Sequence, residues 1–252
     1  MDTVTVLAYI VIFAFGITVG SFLNVCIFRL PEHESVVTVP SHCMSCGKRL
    51  RWYELIPLFS YLFLRGRCSA CKSRISAQYP LIEAANGVLW CILYWRFDMT
   101  PVFFLACGMC SALAVLSVID ARTRTIPPGT TIFILVLGMA RLCFDLANWK
   151  LYLIGFLAVS VPLYIIFMVT GGRGIGGGDI KLMAVCGLFL GWKNILLAFF
   201  AGCVLGSIIH LSLMAARKAD RTLALGPYLS AGVFLALMWG DAALNWYLGL
   251  IM

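Results

Sequence analysis

The chain has 252 residues, 62% of them hydrophobic and only 12% charged, with a mean hydropathy of +0.97. Soluble globular domains are about half apolar and about a quarter charged, so this composition excludes an ordinary water-soluble protein and sets most of the surface against lipid. The formal net charge of +8 points to nucleic acid only until the positions of the basic residues are considered.

Hydrocarbon about 30 Å thick needs roughly 20 apolar residues per helix. In chain order the expected spans are about 4–28, 80–97, 101–120, 129–147, 151–170, 179–192, 194–215 and 226–250, the sixth being the shortest. The expected fold is all-α, a polytopic membrane bundle of about eight spans, and no internal repeat stands out. The first run starts after Asp2 without a basic residue and continues to Phe28. It is therefore expected to be a permanent span and not a removable signal. The chain divides into the first span (1–28), a polar loop domain (29–79) and a membrane core (80–252).

The loop contains Cys43-Met44-Ser45-Cys46 and Cys68-Ser69-Ala70-Cys71, two C-x-x-C pairs separated by 21 residues. Such pairs suit a tetrahedral four-cysteine zinc site, each pair forming one knuckle. Two disulfides are the alternative, disfavoured because the loop is expected in the cytoplasm, where thiols stay reduced. All four ligand positions would be filled, so the metal, zinc or a similar soft ion, would be structural. His42 is read as a neighbour, with substitution for one of the ligands as the alternative. Six further cysteines (Cys91, Cys107, Cys110, Cys143, Cys186, Cys203) lie in apolar runs, where a thiol packs as a small hydrophobe. The spacing of Cys107 and Cys110 inside a span is read the same way.

Glu83 begins the second span and is read as a helix-start acid, with a third site carboxylate as the alternative. Asp120 closes the third span, and Asp179 opens the sixth after Gly171-Gly172-Arg173-Gly174-Ile175-Gly176-Gly177-Gly178. That run formally matches G-x-G-x-x-G, but no strand or βαβ unit surrounds it. It is read as a hinge that lets backbone approach a substrate closely, with a plain flexible connector as the alternative. Gly176, Gly177, Gly178 and Lys181 are the expected substrate-side residues.

Basic residues collect on the cytoplasmic side. With the N-terminus outside, fifteen of the 19 Lys and Arg fall in cytoplasmic segments, among them Arg122, Arg124, Arg173, Lys181, Arg217, Lys218 and Arg221. Only Arg96, Arg141, Lys150 and Lys193 face the other way. The net charge is thus explained by anionic lipid headgroups, and nucleic acid is not expected as a partner. The same orientation brings Asp120 and Asp179 to one membrane face. Ionisable groups at membrane depth mark function by default, although either Asp alone also suits a helix end. Two adjacent carboxyls do not both ionise easily, so one keeps a proton while the other activates water, the chemistry of an aspartic peptidase. A proton or cation transporter using the same carboxylates, and a noncatalytic zinc-bearing assembly factor, are the competing readings.

An ordered set of motifs runs through the chain. It comprises Gly20-Ser21-Phe22-Leu23-Asn24-Val25, the paired C-x-x-C loop, Ile56-Pro57 through Arg65-Gly66-Arg67-Cys68, and Tyr79-Pro80-Leu81-Ile82-Glu83. Asp120 with Ile126-Pro127, Gly176-Gly177-Gly178-Asp179-Ile180-Lys181-Leu182 and Gly226-Pro227-Tyr228 complete it. In this set the chain resembles the type IV prepilin peptidases, the GxGD class of membrane aspartic peptidases, with Asp120 and Asp179 on that family's catalytic aspartates. Ala121 stands where many relatives have leucine, and Leu225 where proline or phenylalanine is usual. The resemblance implies removal of a short basic leader from prepilin and pseudopilin precursors at the cytoplasmic face of the bacterial inner membrane. It also implies N-methylation of the new terminus using S-adenosylmethionine. Glu54, Glu83, Asn24 and the cysteine loop are candidates for the methyl-transfer side only by their closeness to the expected membrane face.

Overall fold

The structure, a computed structural model, describes residues 2–215 and 223–251. Arg217, Lys218 and Arg221, used above for orientation, lie outside the described residues. Ten α-helices and no extended strand are present among the described residues: α1 (Thr3–Arg29), α2 (Phe59–Phe63), α3 (Gln78–Phe97), α4 (Pro101–Thr123), α5 (Pro128–Phe144), α6 (Trp149–Ala158), α7 (Ser160–Thr170), α8 (Gly177–Leu190), α9 (Trp192–Ala215) and α10 (Gly226–Ile251). Among the described residues five segments have the length and apolarity to cross a membrane: Thr3–Arg29, Pro101–Thr123, Leu146–Thr170, Trp192–Ala215 and Gly226–Leu250. The protein is thus an all-helical chain with the makings of a multi-pass membrane protein.

The chain forms two compact units, Met1–Phe103 and Phe104–Met252. In the first, α1 and α3 pack antiparallel. Tyr9 meets Tyr94 edge-on with ring centroids 5.0 Å apart, and the Asn86 amide donates to the Gly16 carbonyl at 2.7 Å. At the other end the Asn24 amide donates to the Tyr79 carbonyl at 3.1 Å. A Cβ on Gly16 would lie 2.7 Å from Gly87 Cα, and one on Gly20 equally close to Glu83 Cα. Close backbone contact and interhelical amides hold the two helices together.

In the second unit, α8 is the centre, packed by α5, α6, α7, α9 and α10. Every residue from Leu182 to Leu190 is buried, as expected for a helix that is apolar all round. Gly187 of α8 and Gly155 of α6 face each other so closely that a Cβ on either would strike the other's carbonyl oxygen. Gly232 of α10 sits in the same manner on Ala198 of α9.

One expected span, 151–170, is broken into α6 and α7 at Val159. Pro162 lacks the N–H that would bond the Ala158 carbonyl, so the helical ladder is interrupted there. The expected fourth span stops early, at Phe144. Asp145 leaves helical geometry with φ −138 and accepts the Tyr152 hydroxyl at 2.7 Å.

Candidate active site and cysteine cluster

Asp120 lies in the last turn of α4 and is only 5% exposed. The Arg124 N–H returns to the Asp120 carbonyl at 2.8 Å, and Arg124 itself takes a left-handed φ of 55, which ends the helix. Thr125 and Ile126 then run to Pro127, which is extended, and Pro128 fills the first position of α5, where proline's missing donor costs nothing.

Asp179 is half-buried in the first turn of α8. Its N–H donates to the Gly176 carbonyl at 3.2 Å. Gly178 lets α8 approach the α4–α5 turn: a Cβ there would come 3.1 Å from Ile126 Cβ. One cavity of about 330 Å³ is lined by Asp120, Asp179, Gly176, Gly177, Gly178 and Lys181, together with Arg124 and Thr131. The structure therefore brings together in this cavity the two acids, the three glycines and the lysine singled out in the sequence.

Gly226 stands in the motif series without a role. In the structure its N–H, the first of α10, donates to Asp120 Oδ2 at 2.9 Å, and a Cβ on it would lie 2.7 Å from that oxygen. The amino ends of α5, α8 and α10 thus all meet the acidic site. Unpaired N–H groups and the positive end of the helix dipole make such ends favourable neighbours for negative charge.

The four loop cysteines also converge. All are free, and their Sγ atoms lie within 4.8 Å of one another, with Cys43 and Cys71 3.9 Å apart. Four thiolates at about 2.3 Å from a tetrahedral ion are about 3.8 Å apart, so the cluster fits a metal of that kind. Residues 41–50 and 66–75 are two halves of the same design. The Cys43 N–H donates to the Lys48 carbonyl and the Cys68 N–H to the Ser73 carbonyl, both at 2.9 Å. Leu50 returns to Ser41 and Ile75 to Gly66 in the same way. The Ser45 and Cys46 N–H groups bring the Cys43 thiol down to about 6, and the Ser73 hydroxyl lowers Cys71. Both shifts favour the thiolate a metal needs, whereas the neighbouring thiols, Cys71 first, push Cys46 up to about 11.

Glu54 holds the halves together. It accepts the Arg51 N–H at 2.8 Å and the Ser69 hydroxyl, and it pairs with Lys48 at 3.0 Å. These donors, the Arg51 N–H first, hold its carboxyl down at about 2. Glu83 is buried in the first unit, where Oε2 accepts the Leu58 N–H at 2.8 Å. His42 is bridged to Arg49 and its Nδ1 lies 3.1 Å from the Pro40 carbonyl, so it stands beside the thiols and not among them.

Apolar helices around a cavity holding two carboxyls define a class of integral membrane protein with an acidic site at its helix ends. Two family descriptions match the chain: "Bacterial Peptidase A24 N-terminal domain" over residues 14–97 and "Type IV leader peptidase family" over residues 107–211. The four cysteines fall in the first stretch and both aspartates in the second. The prepilin leader peptidase/N-methyltransferase of Bacillus subtilis is 36% identical over 241 residues, covering 94% of this chain and 97% of that protein. The proteins of the same name from Pseudomonas putida and Pseudomonas aeruginosa are 33% and 32% identical, covering 90% and 92% of this chain and 88% and 91% of those proteins. No solved structure matches it. The chain belongs to the type IV leader peptidase family.

Proposed function

We propose that this protein is a membrane aspartic endopeptidase that cuts the short basic leader from type IV prepilins and pseudopilins, with Asp120 and Asp179 as its catalytic pair. The observation that carries the reading is that two acids, from the end of α4 and the start of α8, line one cavity. One carboxylate takes a proton from water as that water attacks the scissile carbonyl carbon. The other, protonated, donates a hydrogen bond to the carbonyl oxygen as charge develops there. Collapse of the tetrahedral species breaks the C–N bond, and a carboxyl proton goes to the leaving amine. Gly176, Gly177 and Gly178 admit the substrate backbone beside Asp179, with Lys181 at the cavity edge.

The reading carries eight membrane crossings, the N-terminus outside, and both the loop and the aspartates at the cytoplasmic face of the inner membrane. Its parts are the first span (1–28), the loop domain (29–79) and the peptidase core (80–252). Cys43, Cys46, Cys68 and Cys71 would hold a structural zinc ion, which ties the two knuckles together. N-methylation of the new terminus, with S-adenosylmethionine as donor, is the second activity proposed. It rests on the family alone.

The test is to incubate purified protein with a precursor carrying a basic leader and a hydrophobic helix, and to read leader loss and any added methyl by mass spectrometry. Asp120→Asn and Asp179→Asn, each in a folded protein, are expected to lower cleavage by about 10²–10⁴-fold, the usual worth of a positioned acid or base. Full cleavage by either variant would overturn the pairing.

A further inference from the structure

The loop between α1 and α3 wears apolar side chains on its outside. Phe59, Leu62 and Phe63 occupy positions i, i+3 and i+4 of α2 and share one face. They are 55%, 69% and 84% exposed, and Trp52, just before them, is 78% exposed. Such a face on a polar loop marks an interaction site. Its surroundings have one sign of charge. Arg49, Arg51, Arg65 and Arg67 are all exposed, while Glu54, the single acid between Lys48 and Arg74, is buried and paired with Lys48.

The same segment is tied to the end of a membrane helix pair. The Leu58 N–H, immediately before α2, donates to Glu83 in the second turn of α3, and the backbone of Glu83 packs on Gly20 of α1. Arg29, the last residue of α1, donates to the Val39 carbonyl at 2.7 Å and to that of Ser35 at 3.2 Å. The loop is thus tied down where the 27-residue apolar helix α1 ends. Tryptophan and phenylalanine beside arginine, at that level, match the boundary between headgroups and acyl chains.

We propose that Trp52–Phe63 is an interfacial anchor. Trp52, Phe59, Leu62 and Phe63 enter the surface of an anionic bilayer, and the four exposed arginines meet lipid phosphates. The occupant is lipid, and the anchor holds the cysteine loop flat against the membrane that α1 crosses.

The experiment uses the full chain with a photo-crosslinking Phe63→benzoylphenylalanine substitution, reconstituted in vesicles of phosphatidylcholine alone or mixed with phosphatidylglycerol. A second protein carries the same substitution at Phe15, on the exposed face of α1, and reports correct insertion through its lipid adducts. After irradiation, mass spectrometry of the loop peptide is expected to show phospholipid adducts at position 63, several-fold more abundant in the anionic vesicles. Arg65→Gln with Arg67→Gln is expected to remove that preference. Cross-links to another segment of the chain, to a second copy or to nothing would overturn the proposal, as would equal yields in both lipids. The readout is independent of peptidase activity, so the catalytic reading stands or falls separately.

Discussion

In the second unit, Asp120 and Asp179 are placed by helices that are themselves fixed by apolar packing, with α8 buried on all sides and pressed against α6 at glycine. In the first unit, the four thiols are placed by two short turns and a few hydrogen bonds around Glu54. Packing order of the first kind exists without a ligand. Order of the second kind leans on whatever joins the thiols, because a loop of this size buries little apolar surface of its own. The two sites should therefore fail under different insults.

Removing the proposed zinc tests that contrast most severely. Thiolate zinc sites in small domains contribute roughly 10–16 kcal/mol of apparent binding energy that is also folding energy. Purified protein is expected to hold about one zinc per chain, as one four-cysteine site requires, and to lose it in Cys43→Ser or Cys71→Ser. Hydrogen exchange should then become fast across 41–75 and stay slow across α8. A metal-free wild type with a protected loop would break the contrast. The next effect lies in the other unit. Gly226→Ala sets a Cβ 2.7 Å from Asp120 Oδ2 and is expected to cost roughly 10²-fold in kcat, the scale of a 1 Å misplacement of a reacting group. KM and zinc content should hold, and cleavage kinetics with metal analysis check both. An unchanged kcat would show that Asp120 does not depend on this contact.

Smaller effects sharpen the comparison. Gly187→Ala forces a methyl onto the Gly155 carbonyl and is expected to destabilise the second unit by about 1–3 kcal/mol, the usual cost of overpacking. Thermal unfolding in detergent would show it, with loop exchange unaltered. The smallest effect belongs to Glu54. Its folded value of about 2 lies below the ordinary value of about 4.3. Its contribution is therefore present above about pH 4 and fades as pH falls towards 2. Loop protection in the wild type should exceed that in Glu54→Gln at neutral pH, and the difference should shrink below about pH 4. A pH-independent difference would assign the effect to shape and not to charge.

The helices are legible in the sequence because apolar runs of membrane length carry few other interpretations. The acidic pair is legible because Asp120 and Asp179 stand at the ends of such runs, where charge is costly. The break at Val159 is not expected from the sequence although Pro162 signals it, since an unbroken apolar run outweighs one proline. Gly226 is visible as a motif but not as a partner of Asp120. The two lie 106 positions apart, and only the packing of α10 in the folded bundle brings that N–H to the carboxylate. The duplication within the cysteine loop is hidden for a different reason. The halves 41–50 and 66–75 share backbone geometry, yet beyond the cysteines and Arg49/Arg74 no residue is identical.

That duplication is lopsided. At matching places Gly47 has φ 68 and Lys72 φ 59. Glycine adopts this conformation freely, whereas a residue with a Cβ does so at a cost of about 1–2 kcal/mol. The carboxy-terminal half of the clasp is therefore sprung and the amino-terminal half is at rest. Were an ion held by the four thiols removed, relief of that strain would loosen the Cys68–Cys71 side before the Cys43–Cys46 side.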